Sequence, residues 1–416
     1  MKNILIVNHY GQQPPYNTML RHHNWAKELV KRGYKVTVIS ASTIHNTKID
    51  MIEQLGQKKA TVDGILYKYK RALKYSGNGI KRMLNLLSFC FSIIYGKKES
   101  ADIIISAGAY IYPFMRRKYR DTPIITDIAD LWPQSIIEYA DFSPNNLLIK
   151  YLYHLEKKAY IKSDALLFSM EGGINYVKER KYANKIDFSK IFHINMGCDI
   201  LQKDRELEGI SFDLGWNLDE FNIVYCGSIR QANQVRQICD AARIIKERGY
   251  KDVKFQIYGN GDELKMLKKN VIDNSIDNVH FYGRIEKERI PFILSHAKAN
   301  ILTYKHVPLM KYGGSQSKLF DYLASGKPVI CNAKFGYNLI ERYNCGVVAE
   351  DQSAQALADA IEKVYKTNTA ELAEMGKRAR KTAEMYDQPI LVDKLEEVFK
   401  YVSSRKKIKA VKSNKK

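Results

Sequence analysis

Residues 313–330 read Gly-Gly-Ser-Gln-Ser-Lys-Leu-Phe-Asp-Tyr-Leu-Ala-Ser-Gly-Lys-Pro-Val-Ile, a stretch that sets an anion site beside a diol site. Two glycines lead into polar residues that can open a helix over Ser317–Ala324, and Gly326 stops it. Pro328 then delivers the chain into an apolar strand over Val329–Asn332. The first turn of such a helix offers backbone N–H groups without intrahelical acceptors and the positive end of the helix dipole. The N–H groups around Ser315, Gln316 and Ser317 would face an anion, and Lys318 adds a fixed charge there. Asp321, one turn further in, can accept hydrogen bonds from a diol. Phosphate and ribose diol together spell a nucleotide, and we read the segment as half of a nucleotide-sugar site.

Other loops carry chemistry of the same kind. Tyr225-Cys226-Gly227-Ser228-Ile229-Arg230 follows an apolar run; Gly227 permits close approach of a ligand to the backbone, Ser228 lies beside it, and Arg230 suits a diphosphate. Tyr282-Gly283-Arg284 repeats the strand-glycine-arginine pattern, as a base pocket, a second phosphate contact or simply a solvated arginine. Gly259-Asn260-Gly261-Asp262 reads as a tight turn. Asp127-Ile128-Ala129-Asp130-Leu131-Trp132-Pro133 puts Asp130 beside a large aromatic, where it either takes a proton or caps a helix. His9, Tyr10 and Gly11, with Arg21 further on, form a polar, aromatic loop suited to a sugar or serving only as a connection. It lacks Gly-x-Gly-x-x-Gly, the usual dinucleotide signature.

These loops need strands to hold them. Apolar runs at Ile4–Asn8, Val36–Ser40, Ile103–Ser106, Ile124–Asp127, Ala165–Ser169 and Ile191–Ile194 alternate with helical patterns such as Leu20–Lys31 and Leu147–Ile161. The alternation weakens over Leu201–Asp219 and restarts with Phe221–Tyr225, Lys254–Tyr258, Val279–Tyr282, Ala299–Thr303 and Val329–Asn332. Near-continuous Ile/Val strands between helices predict parallel sheets covered on both faces. The expectation is an α/β chain of two doubly wound, Rossmann-like domains, 1–200 and 201–386, facing across a cleft. A helix over 387–404 and a basic, disordered tail over 405–416 follow. In such sheets ligands bind beyond the carboxyl ends of the strands, where the loops above lie.

The chain's 416 residues suit two domains, and its 45% apolar and 27% charged residues suit a globular protein. The net charge is +22, and seven of the last twelve residues, Arg405–Lys416, are basic. Such an excess favours anionic membranes or nucleic acid. No zinc finger or basic recognition helix is present, so an anionic membrane surface is favoured over any specific nucleic acid. No run reaches the roughly 20 apolar residues of a membrane span. Met83–Gly96 comes nearest, as a buried helix or one that dips into a bilayer. The six cysteines are scattered without a Cys-x-x-Cys pair, and the N-terminus runs straight into a strand without a signal peptide. We therefore expect reduced thiols and a cytoplasmic protein, peripheral on the inner face of the cell membrane.

Taken in order, these motifs resemble retaining glycosyltransferases of family 4, with the two-domain GT-B fold. The most specific part is Ser317–Ile330, followed by Tyr225–Arg230, Asn278–Arg284 and Asp130–Pro133. The set looks like the subgroup that builds bacterial capsule, O-antigen and other surface polysaccharides. The resemblance implies a nucleotide-sugar donor, most often UDP-linked, in the second domain and a lipid-linked saccharide acceptor in the first. It also implies a C-terminal helix crossing back to the first domain. Asp321 matches the family's ribose-holding acid, usually Glu, while the preceding acid falls on Gly313. Ser228 and Asn233 stand where an Arg and a Lys are frequent, so Arg230 and Lys318 are the candidates to supply that charge. On this reading Asp130, Arg230 and Lys318 are catalytic. No cofactor and no metal are expected, since the chain has no Asp-x-Asp triplet. A nucleotide-sugar epimerase of the same fold is the alternative, and a basic nucleic-acid-binding protein a more distant one.

Overall fold

The computed structural model describes residues 2–17, 20–45, 47–75, 80–140, 142–314 and 316–413, with the side chains of 80, 140 and 407–413 excepted. Ser315 therefore lies outside the described residues. The chain divides into two compact units, Met1–Asn195 with Gln388–Lys416, and Met196–Asp387.

The first unit is built on eight strands: β1 (Asn3–Val7), β2 (Lys35–Ala41), β3 (Lys59–Val62), β4 (Ile65–Lys70), β5 (Ile103–Ala107), β6 (Ile124–Ile128), β7 (Ala165–Phe168) and β8 (Ile191–His193). Their order is β3-β4-β2-β1-β5-β6-β7-β8, and every pairing except β3–β4 is parallel. Ile4, Leu5, Ile6, Ile103, Ile104 and Ile105 are all buried, so both faces of the sheet are covered. That is why these strands are continuous apolar runs rather than alternating ones. The hairpin β3–β4 was not anticipated, although Asp63-Gly64 between alternating residues is a hairpin signal. Asp63 and Gly64 both adopt positive φ, 51° and 74°. The stretch Met83–Gly96 falls in a helix, Ile80–Tyr95, that buries Leu86, Phe89, Cys90 and Ile93 but leaves Leu84, Phe91 and Tyr95 exposed. It is thus a one-faced helix rather than a fully buried one. Among the described residues no helix is long and apolar enough to cross a membrane.

The second unit holds β9 (Phe221–Cys226), β10 (Val253–Tyr258), β11 (Val279–Gly283), β12 (Ala299–Leu302), β13 (Val329–Cys331) and β14 (Gly346–Val348). Their order is β11-β10-β9-β12-β13-β14, all parallel. Successive strands are added outward on one side from β9 and on the other from β12, so the boundary between these two strands is the switch point at which open α/β sheets bind ligands. The helix Val235–Glu247 closes one face, packing Ile238, Ala241, Ala242 and Ile245 with the strand residues Ile223, Phe255 and Ile257.

Two stretches differ from expectation. Ile200–Gly209, where the sequence shows no clear alternation, is a helix capped by Asp199. The last helix runs from Gln388 to Ser413 instead of ending near 404, so most of the stretch expected to be a disordered tail is helical. It groups with the first unit, where Arg32 pairs with Asp393 and Glu396, both at 2.6 Å. Arg405, expected in the tail, bonds Asp187 at 2.7 Å.

Candidate active site

In the second unit the helix Ser317–Ala324 begins where the sequence places it. Gln316 stands at its cap position without a side-chain hydrogen bond to the helix, and its first turn carries no acid. Lys318 sits in that turn, the end where the dipole disfavours a cation. Its Nζ donates to Tyr225 Oη (3.2 Å) and Asn233 Oδ1 (3.0 Å) and lies over the rings of Tyr225 (5.0 Å) and Tyr304 (5.1 Å). None of these groups carries a countercharge, and no carboxylate among the described residues pairs with Lys318. Burial lowers its pKa to about 8. A cation held at the positive end of a dipole, without a carboxylate, is locally unfavourable until an anion arrives.

Gly227 makes room for this lysine. A Cβ there would come 2.8 Å from Lys318 Cδ. Gly259, set aside as a turn, packs so closely that its Cβ would meet the Gly227 carbonyl oxygen at 1.7 Å, and its φ of +147° also favours glycine. The strand ends are stitched together, Gly227 N–H to Tyr258 O at 2.9 Å and Gly259 N–H to Gly283 O at 2.7 Å. Gly227, Gly259 and Gly283 therefore form an edge of backbone free of side chains across β9, β10 and β11. Asn233 Nδ2 donates to the Ser228 carbonyl (2.8 Å) and hydroxyl (2.7 Å), so Ser228, Asn233 and Lys318 form one network. Arg230 and Arg284 are exposed on the loops after β9 and β11. Asp321 is ion-paired with Lys203 on the helix Ile200–Gly209. Burial alone would lower the Lys203 pKa, but Asp321 outweighs it and the net shift is upward. Lys203 and Tyr304 were not singled out by the sequence reading.

The first unit distributes its charges differently. Asp127, at the end of β6, is buried and receives Arg21 Nη2 (3.0 Å), Arg21 Nε (3.1 Å) and His22 Nε2 (2.9 Å). Burial would raise its pKa, but Arg21 and His22 hold it down at about 2. Arg21 also donates to the carbonyls of Ile194 and Asn195 at 2.8 and 2.7 Å. It was expected to bind the acceptor; instead its guanidinium is spent on internal partners. His9 is likewise buried, its Nε2 2.6 Å from Asn85 Oδ1, and burial lowers its pKa to about 4, so the ring is neutral. Gly11 is buried against Asn8. Of the four residues expected to meet the acceptor, Tyr10 alone keeps partial exposure. Its hydroxyl accepts from Arg82 Nε at 2.8 Å, and the Arg82 guanidinium lies over the rings of both Tyr10 and Trp132. Asp130 is exposed, and Ser135 Oγ donates to it at 3.1 Å. Protein crowding around the carboxylate raises its pKa against the hydrogen bonds from Ser135 and Leu131. It is not the helix cap that the sequence allowed, since the helix begins only at Gln134 and Asp130 accepts from the Ser135 hydroxyl rather than from a first-turn backbone N–H. Among the described residues no group of three or more His, Cys, Asp or Glu is placed to hold a metal ion.

Residues 208–382 match the family model described as glycosyl transferases group 1. The matched stretch lies within the second unit. That stretch contains the Lys318 network, the glycine edge and Asp321. A search of curated proteins finds no match to the chain. Among solved structures the chain is similar to sucrose-phosphate synthase from Thermosynechococcus elongatus, with a TM-score of 0.75 and 15% identity over 97% of this chain and 100% of that one. It is also similar to Anabaena HepE in complex with UDP-glucose, with a TM-score of 0.66 and 15% identity over 97% and 100% of the two chains. A third is WaaG, a glycosyltransferase involved in lipopolysaccharide biosynthesis, with a TM-score of 0.66 and 14% identity over 95% and 99%. At such identities the likeness is one of fold, and that fold is GT-B. The family match over residues 208–382 and the GT-B fold are consistent with each other.

Proposed function

We propose that the chain transfers a glycosyl residue, with retention of configuration, from a UDP-linked sugar to a lipid-linked saccharide in bacterial surface polysaccharide synthesis. Lys318 carries the reading: a cation without a carboxylate partner, at an uncapped helix start in a group 1 domain, is prepared for a diphosphate. HepE was solved with UDP-glucose bound, and WaaG is involved in lipopolysaccharide biosynthesis; both agree with this donor and this setting.

In the reaction the bond between the anomeric carbon and the β-phosphate oxygen breaks, and a bond to the acceptor hydroxyl oxygen forms. Negative charge builds on the departing diphosphate. Lys318, Arg230 and the N–H groups of Gln316 and Ser317 stabilise it, the task a metal performs in other transferases. Gly227 and Gly283 let the donor approach the strand ends, with Ser228 and Arg284 beside them. Asp321, paired with Lys203, holds the ribose diol. Asp130 orients the acceptor hydroxyl or takes its proton, which its raised pKa favours. The enzyme works without a divalent cation, peripherally at the inner face of the cell membrane.

A thermal-shift panel of nucleotide sugars tests this, because a ligand that binds only the folded state raises its stability. UDP-sugars should raise the melting temperature of the wild type, and Lys318→Ala should abolish the shift. UDP release should then require an acceptor saccharide and persist in excess chelator. A panel without any shift would contradict the reading, and UDP-sugar interconversion without acceptor would point to an epimerase.

A further inference from the structure

We propose that the face formed by the helices Ile80–Tyr95 and Tyr112–Lys118 docks the first unit on an anionic lipid bilayer. Leu84, Phe91 and Tyr95 share one side of the first helix and are 48%, 50% and 80% exposed. Single exposed apolar side chains need no explanation, but these are contiguous. Phe91 stacks on Tyr95 at 6.4 Å and meets Phe114 of the second helix edge-on at 6.0 Å, so the stripe crosses from one helix to the next. Leu73, 56% exposed, lies alongside, its N–H bonded to Ser88 Oγ at 2.9 Å.

The stripe is also held in place. Lys118 Nζ donates to the carbonyls of Ile93 (2.5 Å) and Gly96, capping the end of the first helix next to its exposed aromatics.

Charge decides the occupant. Residues 71–120 contain ten Lys or Arg and two acids, Glu99 and Asp102. At the chain's average, about five acids would fall in this segment. Lys81, Lys97, Lys98 and Arg117 are exposed at the ends and flank of the stripe. Apolar and aromatic side chains rimmed by cations suit the boundary between acyl chains and anionic headgroups. A second copy of the chain would bring like charges together, and a neutral bilayer would leave the cations unmatched. The proposal extends the function given above by naming where the chain meets the membrane that carries its acceptor. Its test reads binding alone, so the two can fail separately.

The experiment is co-sedimentation of the full chain with vesicles of phosphatidylcholine, alone or with about 30 mol% phosphatidylglycerol, at low and high salt. The wild type should bind the anionic vesicles and come off as salt rises. Lys97→Glu/Lys98→Glu and Phe91→Ser/Tyr95→Ser should each weaken partition by about tenfold or more. Lys265→Glu/Lys268→Glu, which changes net charge equally at exposed positions of the second unit, should stay within about twofold of the wild type. A melting temperature unchanged from wild type shows that each variant is folded. Equal losses in both charge-reversal pairs, or equal binding to neutral and anionic vesicles, would overturn the proposal. So would no binding, or a dimer that Phe91→Ser/Tyr95→Ser dissolves.

Discussion

The carboxyl ends of the two sheets are alike in topology and opposite in electrostatics. In the first unit Arg21 is neutralised by buried Asp127 and donates to two carbonyls. In the second, Lys318 is surrounded by neutral oxygens and aromatic rings, and its pKa falls to about 8. The first arrangement is complete without a ligand and contributes to folding. The second is incomplete until an anion binds. The exposed acid follows the same division: Asp130, with its raised pKa, belongs to the unit whose buried Arg21 is already paired. A buried charge with its partner is structural, and a crowded charge without one is poised for chemistry.

The sharpest way to break this contrast is to remove Asp127. Asp127→Ala leaves Arg21 buried without its carboxylate and should destabilise the chain by about 3–5 kcal/mol, read by denaturant unfolding. A loss below about 1 kcal/mol would show that the two carbonyls satisfy Arg21 alone. The same pair has an acid limb. Because the folded pKa is held at about 2, below the ordinary 3.8, its contribution is full above about pH 4 and is lost as pH falls toward about 2.

In the second unit the effect should fall on turnover instead. Lys318→Ala and Arg230→Ala should each lower kcat/KM by roughly ten- to a thousandfold, with the melting temperature of Lys318→Ala unchanged or raised. Removing a cation that the fold does not neutralise relieves a burden; unfolding of Lys318→Ala would place it with Arg21 as a structural charge.

A smaller effect is expected from pH. The Lys318 ammonium predominates below its pKa of about 8 and is lost as pH rises through it. If only the charged form binds diphosphate, the donor Kd should rise about tenfold per pH unit beyond that point and stay flat below it. Lys318→Arg, which does not titrate in this range, should remove the dependence.

The smallest effect belongs to the exposed pair of Arg405 and Asp187, where Arg405→Ala should cost no more than about 1 kcal/mol.

What the sequence made legible follows the same physics. The long parallel strands and the helix Ser317–Ala324 were visible because apolar runs and Gly/Pro stops are local signals. The helix Ile200–Gly209 was not. It buries only Ile200 and is tied down by ion pairs, Lys203 to Asp321 and Asp204 to Arg380, which leave no apolar period to read. β14 spans three residues, too few for a pattern. The pairing of Arg21 with Asp127 was not legible because the two stand 106 positions apart, and a contact of that kind exists only in the fold. The helix start that carries Lys318, in contrast, was legible from neighbouring residues, since glycines, cation and helix lie in one short segment. What remained hidden was its company: Tyr225 and Tyr304 come from the ends of two other strands.

Calorimetric titration of UDP into the wild type and Lys318→Met, at about pH 7 and again at about pH 9, tests the central claim most directly. The account predicts tight binding by the wild type at the lower pH, weaker binding at the higher, and weak, pH-independent binding by Lys318→Met. Equal affinity of the two proteins at the lower pH would contradict it.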